Sequence, residues 1–295
     1  MRLTTLATTL RGQVLRRMKT LMRSGSNGQT PRPNQTVAFR GYTERLNEIR
    51  FVDPLNDDEL EKLNNLLDWK CFVADSRGRR FGNAAWAGKR CEPQAVPDPR
   101  IILLHERFDL VDKHVLEVGC FEGIHTVGLS MFARQVTAVD ARIENVVKTI
   151  VRCALFGYCP TIFKCDIETR PLAYEDLACD VLHHVGVLYH LKDPVSHLHD
   201  LQRFVRFGVM LDTHYAHQAE ATESYEVDGR VYNYKRYREY GHDDPFSGTS
   251  DHSKWLQLDD LKALLAEAGF NEIEIVEKRD ERNGPRVLLM ARQKF

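Results

Sequence analysis

Apolar and polar positions fall into blocks along this chain, and the blocks change character near residue 100. Beyond it, short apolar runs at 115–118, 136–140, 161–166, 180–185 and 209–213 are separated by amphipathic stretches at 124–133, 143–156 and 194–205. The runs are too short for helices and read as strands buried on both faces; the stretches between them carry the helical period. Such alternation predicts a parallel sheet covered on both sides. A polar stretch, 214–254, interrupts it. A helix at 258–268 stopped by Gly269 then precedes strands at 271–277 and 286–292. Asn283-Gly284 between these strands is a hairpin signal. The pattern gives an α/β fold whose parallel sheet ends in an antiparallel hairpin.

The first hundred residues read differently. Leu3, Leu6, Leu10, Val14, Met18, Leu21 and Met22 recur at helical spacing among six basic residues and no acid in 1–23. Two readings stay open for this segment: a helix on an anionic membrane surface or RNA, or a peripheral helix covering the main domain. Residues 24–36 are a linker by composition. Residues 37–99 form a helical N-terminal extension with one clear helix, capped by Asn56 or Asp57 and apolar at Leu60, Leu63, Leu66 and Leu67. Residues 100–295 form the main domain.

Lys plus Arg (41) nearly balances Asp plus Glu (42), which argues against wholesale electrostatic capture of nucleic acid. The seven cysteines include no Cys-x-x-Cys pair, and several lie in apolar runs. They fit a reducing, cytoplasmic setting better than a disulfide framework. No apolar run approaches the roughly eighteen residues needed to span a bilayer.

The stretch Val115-Leu-Glu-Val-Gly-Cys-Phe-Glu-Gly123 carries the chemistry. A strand ends in an acid and a glycine-rich turn, and a second strand closes on Asp140 about twenty residues later, the spacing of a nucleotide-binding βαβ unit. Asp140 can accept both hydroxyl hydrogens of a ribose. A dinucleotide fits poorly, because Phe121 stands where the pyrophosphate fingerprint needs glycine. Glu117 and Glu122 suit a cationic ligand, and Glu117 can meet the ammonium of a methionine moiety. The cofactor expected is S-adenosylmethionine; a plain doubly wound domain without cofactor is the bland alternative.

With these residues the chain resembles a class I S-adenosylmethionine-dependent methyltransferase from about Ile101 onward. The elements are Glu117-x-Gly119-x-x-x-Gly123, Asp140, Asp166 after the third strand, and the terminal hairpin. The resemblance implies a Rossmann-like sheet of seven strands, the last antiparallel and inserted beside the fifth. It also implies that Glu117, Gly119, Cys120 and Gly123 face the methionine part, Asp140 and Ala141 the ribose, and Asp166 with Ile167 the adenine. Val185 would complete the cofactor wall. A closer similarity, at Gly186-Val-Leu-Tyr-His190 with Asp193-Pro194 and at 285–292, is to the group that includes the tRNA wobble-uridine carboxymethyltransferases. By that similarity Tyr189, Arg286 and the upstream Lys70 and Lys89 would hold the carboxylate of carboxy-S-adenosylmethionine, and Trp86, in an extension of similar rhythm, would belong to the cofactor site.

Methyl transfer to a hydroxyl needs a base, and histidine is the usual choice near neutral pH. His190 follows the fourth strand, at the sheet edge where the methyl should lie, and is the first candidate; the alternative is a ring packed behind Tyr189. His214 is second. Asp212, His214 and His217 offer a divalent-metal set as an alternative, but the reading carried forward uses no metal. His197 and His199 are expected to face solvent. In 214–254, tyrosines 225, 232, 234, 237 and 240 interleave with basic residues, and this insertion is expected to overhang the acceptor pocket as a lid. The expected function is S-adenosylmethionine-dependent methyl transfer to a hydroxyl-bearing small molecule, saccharide or natural-product intermediate, at oxygen with histidine assistance. The alternatives are (carboxy)methyl transfer to tRNA, with the basic N-terminus as docking element, and a non-catalytic nucleoside-binding adaptor.

Overall fold

The computed structural model describes residues 52, 54–75, 77–83 and 92–294, all within one unit, Arg40–Phe295. The amphipathic segment and linker at 1–36, and with them Trp86 and Lys89, lie outside the described residues.

The described chain opens with helix α1 (Asp57–Leu66) and a short antiparallel pair, β1 (Phe72–Ala74) and β2 (Arg80–Gly82). Asn56 caps α1 in a reciprocal box with Glu59, each side chain accepting from the other's backbone N–H at 2.9 Å, which occupies two donors at the helix start. Leu60 faces inward as expected, but Leu66 is 73% exposed.

The main domain then runs α2 (Pro99–Phe108), β3 (His114–Val118), α3 (Ile124–Ser130), β4 (Gln135–Asp140), α4 (Ile143–Leu155), β5 (Thr161–Lys164), the single turn α5 (Tyr174–Leu177), β6 (Cys179–Val185), α6 (Pro194–Asp200) and β7 (Val205–His214). The insertion supplies β8 (Glu223–Val227), β9 (Arg230–Arg238) and β10 (His252–Leu256), and the chain closes with α7 (Leu258–Glu267), β11 (Glu272–Glu281) and β12 (Gly284–Arg292). The large sheet has seven strands in the order β11-β12-β7-β6-β3-β4-β5. Its strands β7, β6, β3, β4 and β5 are parallel, and β12 enters antiparallel beside β7.

Consecutive residues of the buried strands point to opposite faces, and the two cores show it. Leu116, Leu182 and Leu211 pack with α6 and α7 on one side; Val115, Val181 and Met210 pack with α2 and α3 on the other. This is why the strands read as unbroken apolar runs. The polar insertion is no irregular excursion: β8, β9 and β10 form their own antiparallel sheet. No helix among the described residues is long and apolar enough to cross a membrane.

Candidate active site

A cavity of about 540 Å³ opens at the carboxyl edge of the parallel strands, where open α/β sheets bind ligands. It is lined from the ends of β3, β4, β5 and β6, from loop 245–249 of the insertion, and from Arg279, Glu281 and Arg286 of the hairpin. Of the residues the sequence singles out, Glu117, Gly119, Cys120, Asp140, Ala141, Asp166, Ile167, Val185, Tyr189, His190 and Arg286 all line it. Gly123 does not; it shapes the turn behind.

The turn after β3 depends on its first glycine. Gly119 has φ +74°, and a Cβ there would lie 2.3 Å from Val187 Cγ2. Phe121 adopts φ +51° without being glycine, so the non-glycine position leaves the turn intact, and its ring meets that of Phe246 at 5.5 Å. The backbone N–H of Phe121 donates to Asp140 Oδ2 at 3.0 Å, while Arg142 N and Asn145 Nδ2 donate to Oδ1 at 2.9 and 3.1 Å. A carboxylate offers about four acceptor sites, so Oδ2 keeps one for a ligand hydroxyl. Glu117 is buried, with Thr126 Oγ1 donating to Oε2 at 2.5 Å. Burial pushes its carboxyl up to about 8, against that hydrogen bond. A buried carboxyl facing a cavity with one hydroxyl donor fits the ammonium of S-adenosylmethionine, and Asp140 fits its ribose.

Glu122 corrects the expectation that its charge faces a cationic ligand. It receives the backbone N–H groups of Lys70 and Cys71 at 2.6 and 3.0 Å, and Lys148 Nζ at 3.0 Å, with Arg152 at 3.8 Å. It ties the N-terminal extension to the motif turn. Lys70 gives its ammonium to Asp68 at 2.7 Å and does not line the cavity.

A histidine–carboxylate pair stands in the cavity wall. His190 Nδ1 lies 2.8 Å from Glu239 Oε1. The carboxylate of Glu239 is buried and also receives Ser253 Oγ, Ser247 Oγ and Gly248 N at 2.9, 2.5 and 2.8 Å. Burial alone would raise the Glu239 pKa, but these donors, His190 first, hold it below its ordinary value. Acceptor-only Glu239 assigns the Nδ1–H tautomer to His190, leaving Nε2 to accept a proton. The ring is 19% exposed in its side chain, open to the cavity.

His214 does not fill the second base role. It does not line the cavity; its ring is sandwiched on Trp255 at 4.6 Å and 7°, edge-on to Tyr189, with Nδ1 against the Pro285 carbonyl at 3.1 Å. Trp255 stacks on its other side against Tyr237 and donates to the Tyr189 carbonyl at 2.9 Å. The lid reading of the tyrosines is likewise corrected. Tyr232 and Tyr234 are buried in the core, and none of the insertion's tyrosines lines the cavity; loop 245–249 does. His197 is buried, not solvent-facing, with Nε2 3.0 Å from His184 Nε2.

Asp212 is no metal ligand either. Arg286 Nε, Arg100 Nη1 and Arg279 Nη2 reach its carboxylate at 2.6, 2.9 and 3.0 Å. Arg286 also lies over the Tyr189 ring at 5.2 Å. Glu117, His125 and His183 bring ligand atoms within 4.8 Å of one another. Arg100 Nη2 sits 3.2 Å from His125 Nε2, so a guanidinium already opposes a cation there.

Residues 95–275 match a family model described as a methyltransferase domain. The chain belongs to that methyltransferase-domain family. Among curated proteins it resembles a tRNA U34 carboxymethyltransferase of Shewanella loihica, 27% identical over 179 residues, covering 57% of this chain and 49% of that one. One of Marinobacter nauticus is 29% identical over 106 residues, 34% of this chain and 30% of that one. The chain spans 49% and 30% of the length of these two curated relatives. Among solved structures, the N-terminal domain of EvdMO1 in the presence of SAH and D-fucose superposes with a TM-score of 0.67 at 24% identity, over 83% of this chain and 99% of that one. At that identity the likeness is one of fold.

Proposed function

We propose that the chain transfers a methyl group to a hydroxyl of a small polar acceptor, with His190 as general base. The observation that carries this reading is the His190–Glu239 pair in the wall of the cavity that also contains Asp140 and Glu117. Bound S-adenosylmethionine supplies an electrophilic methyl on a sulfonium. The chain's own part is to hold the acceptor in line, which contributes much of the rate, and to take its proton at His190 Nε2. Glu117 and Asp140 are proposed to anchor the ammonium and ribose ends. Glu117 with its pKa near 8 is protonated in the cofactor-free protein at neutral pH, so an ammonium ligand should drive it to ionise. Cofactor binding should therefore tighten as pH rises from 6 toward 7.5, by up to about tenfold per unit, with proton release visible by calorimetry in buffers of different ionisation enthalpy. No proton release at pH 7 would remove Glu117 from the ammonium site.

A second reading, carboxymethyl or methyl transfer to tRNA, is favoured by Arg286 beside Tyr189 in the cavity wall and by the curated relatives' names. Against it, the Arg286 guanidinium is already engaged by Asp212 and Glu281, and Lys70 stands apart. The test is a side-by-side calorimetric titration with S-adenosylmethionine and carboxy-S-adenosylmethionine, followed by an acceptor screen. The EvdMO1 domain shares the fold, so sugars are the class to screen first. The first reading expects the plain cofactor to bind tighter. A tenfold preference for the carboxylated form, about 1.4 kcal/mol, would put tRNA first.

A further inference from the structure

The His190–Glu239 dyad is not built by its own strands alone. Both oxygens of Glu239 are occupied, and two of the donors, Ser247 Oγ and Gly248 N, come from the loop that follows β9. Ser247 Oγ also accepts from Tyr240 N at 2.7 Å, which closes the loop on itself. Gly248 sits hard against the base: a Cβ there would lie 2.6 Å from the His190 carbonyl oxygen. The geometry of Glu239 therefore depends on where residues 241–248 are held.

They are held from the cofactor side. Arg142, two residues beyond Asp140, sends Nη2 to the carbonyls of Gly241, Asp244 and Ser247 at 2.6, 3.1 and 3.1 Å, and Nη1 to that of His242 at 3.3 Å. Its own backbone N–H donates to Asp140 Oδ1 at 2.9 Å. Among the described residues no ion pair joins Arg142 to a carboxylate, although arginine commonly engages one. A rigid guanidinium fork that meets four carbonyls of one loop fixes that loop's backbone at several points at once, which a point-charge ammonium does less well.

We propose that Arg142 is a positioning residue. It links the ribose carboxylate Asp140 to the acceptor-side base by holding 241–248 where Ser247 and Gly248 orient Glu239, and Glu239 in turn orients His190. The inference rests on the reading of His190 as base. It assigns to an arginine of the cavity wall, two residues beyond Asp140, control over which nitrogen of His190 is free.

The test reads the imidazole directly. Nitrogen-15 spectra of the full-length protein bound to S-adenosylhomocysteine, with His190→Ala used to assign the ring, report the tautomer in wild type, Glu239→Ala, Arg142→Ala and Arg142→Lys. The wild type should show the Nδ1–H form with a free Nε2. Glu239→Ala should lose that preference. Arg142→Ala should lose at least half of it, while affinity for S-adenosylhomocysteine changes less than about threefold. Arg142→Lys should fall between. A merely structural Arg142 would lower the melting temperature and leave the tautomer of the folded protein unchanged, and that result overturns the proposal. If Arg142→Ala does not fold, Arg142→Lys decides: a wild-type tautomer in it overturns the proposal, and an intermediate one supports it. A wild type without Nδ1–H preference would instead sink the dyad, and so the reading of His190 as base.

Discussion

Replacing His190 by alanine should lower kcat by about 10²–10⁴, the usual worth of a positioned general base, while cofactor affinity stays within about threefold. The separation follows from where the ring sits. His190 lies in a short turn after β6, with Nδ1 against Glu239 and the residue in the cavity wall. The cofactor-side carboxylates belong to the ends of β3 and β4. Glu239→Ala should cost less than His190→Ala, because the imidazole survives but loses its assigned tautomer, and a residual base remains. The measurement is steady-state transfer to the acceptor found in the hydroxyl screen, paired with calorimetric binding of S-adenosylhomocysteine. Wild-type kcat in His190→Ala would remove the base from the mechanism and leave positioning alone to explain the rate. A parallel loss of cofactor affinity would move His190 into the binding site instead.

Half of this site was legible in the chain and half was not, for a physical reason. The strand ends announce themselves: Glu117 is the penultimate residue of β3 and Asp140 closes β4, and a run buried on both faces can end only where its sheet meets solvent or ligand. Asp166 lies just beyond β5, at the sheet edge. The glycines at 119 and 123 mark a left-handed turn. Glu239 gave no such signal. It lies 49 residues from His190, in a polar stretch whose acids look alike until a tertiary fold buries one of them. Arg142 was hidden for the same reason, since its partners are backbone carbonyls, which no residue type reveals. The tyrosines misled because alternation in β9 was hydrophobic packing of Tyr232 and Tyr234 against the core, not a stacking surface. His214 misled because proximity to a strand end does not say which face a ring takes, and its ring went to Trp255.

The buried histidines make acid stability the other large expectation. His183 is 1% exposed, and neither of its ring nitrogens finds a partner among the described residues. His184 and His197 share one contact between their Nε2 atoms, and each Nδ1 is unpartnered. Burial pushes His184 down to about 4, and pushes His183 and His197 well below their ordinary value. An unfolded histidine takes up a proton near pH 6.5, so below that pH the unfolded chain gains protons the folded chain refuses. Stability from these groups is present above 6.5 and is lost as pH falls toward 4, at about 1.4 kcal/mol per unit for each fully discriminated group. Glu117 works the other way: raised to about 8 by burial, it favours the folded state at low pH and loses that contribution as pH rises through 4.5 to 8. The two effects overlap between 4.5 and 6.5, which makes the total slope a poor test. A difference between proteins isolates the histidine. Relative to wild type, His184→Met should gain about 2 kcal/mol of unfolding free energy on going from pH 7 to pH 4.5, measured by urea denaturation at each pH, because Glu117 is common to both. His184 lies on β6, paired with Val118 of β3 and Leu211 of β7, and does not line the cavity, so the same variant should keep its affinity for S-adenosylhomocysteine. Denaturation curves that stay a constant distance apart across that range would mean that the folded protein protonates His184 as readily as the unfolded chain, and that the His184–His197 contact admits a proton the burial argument says it excludes.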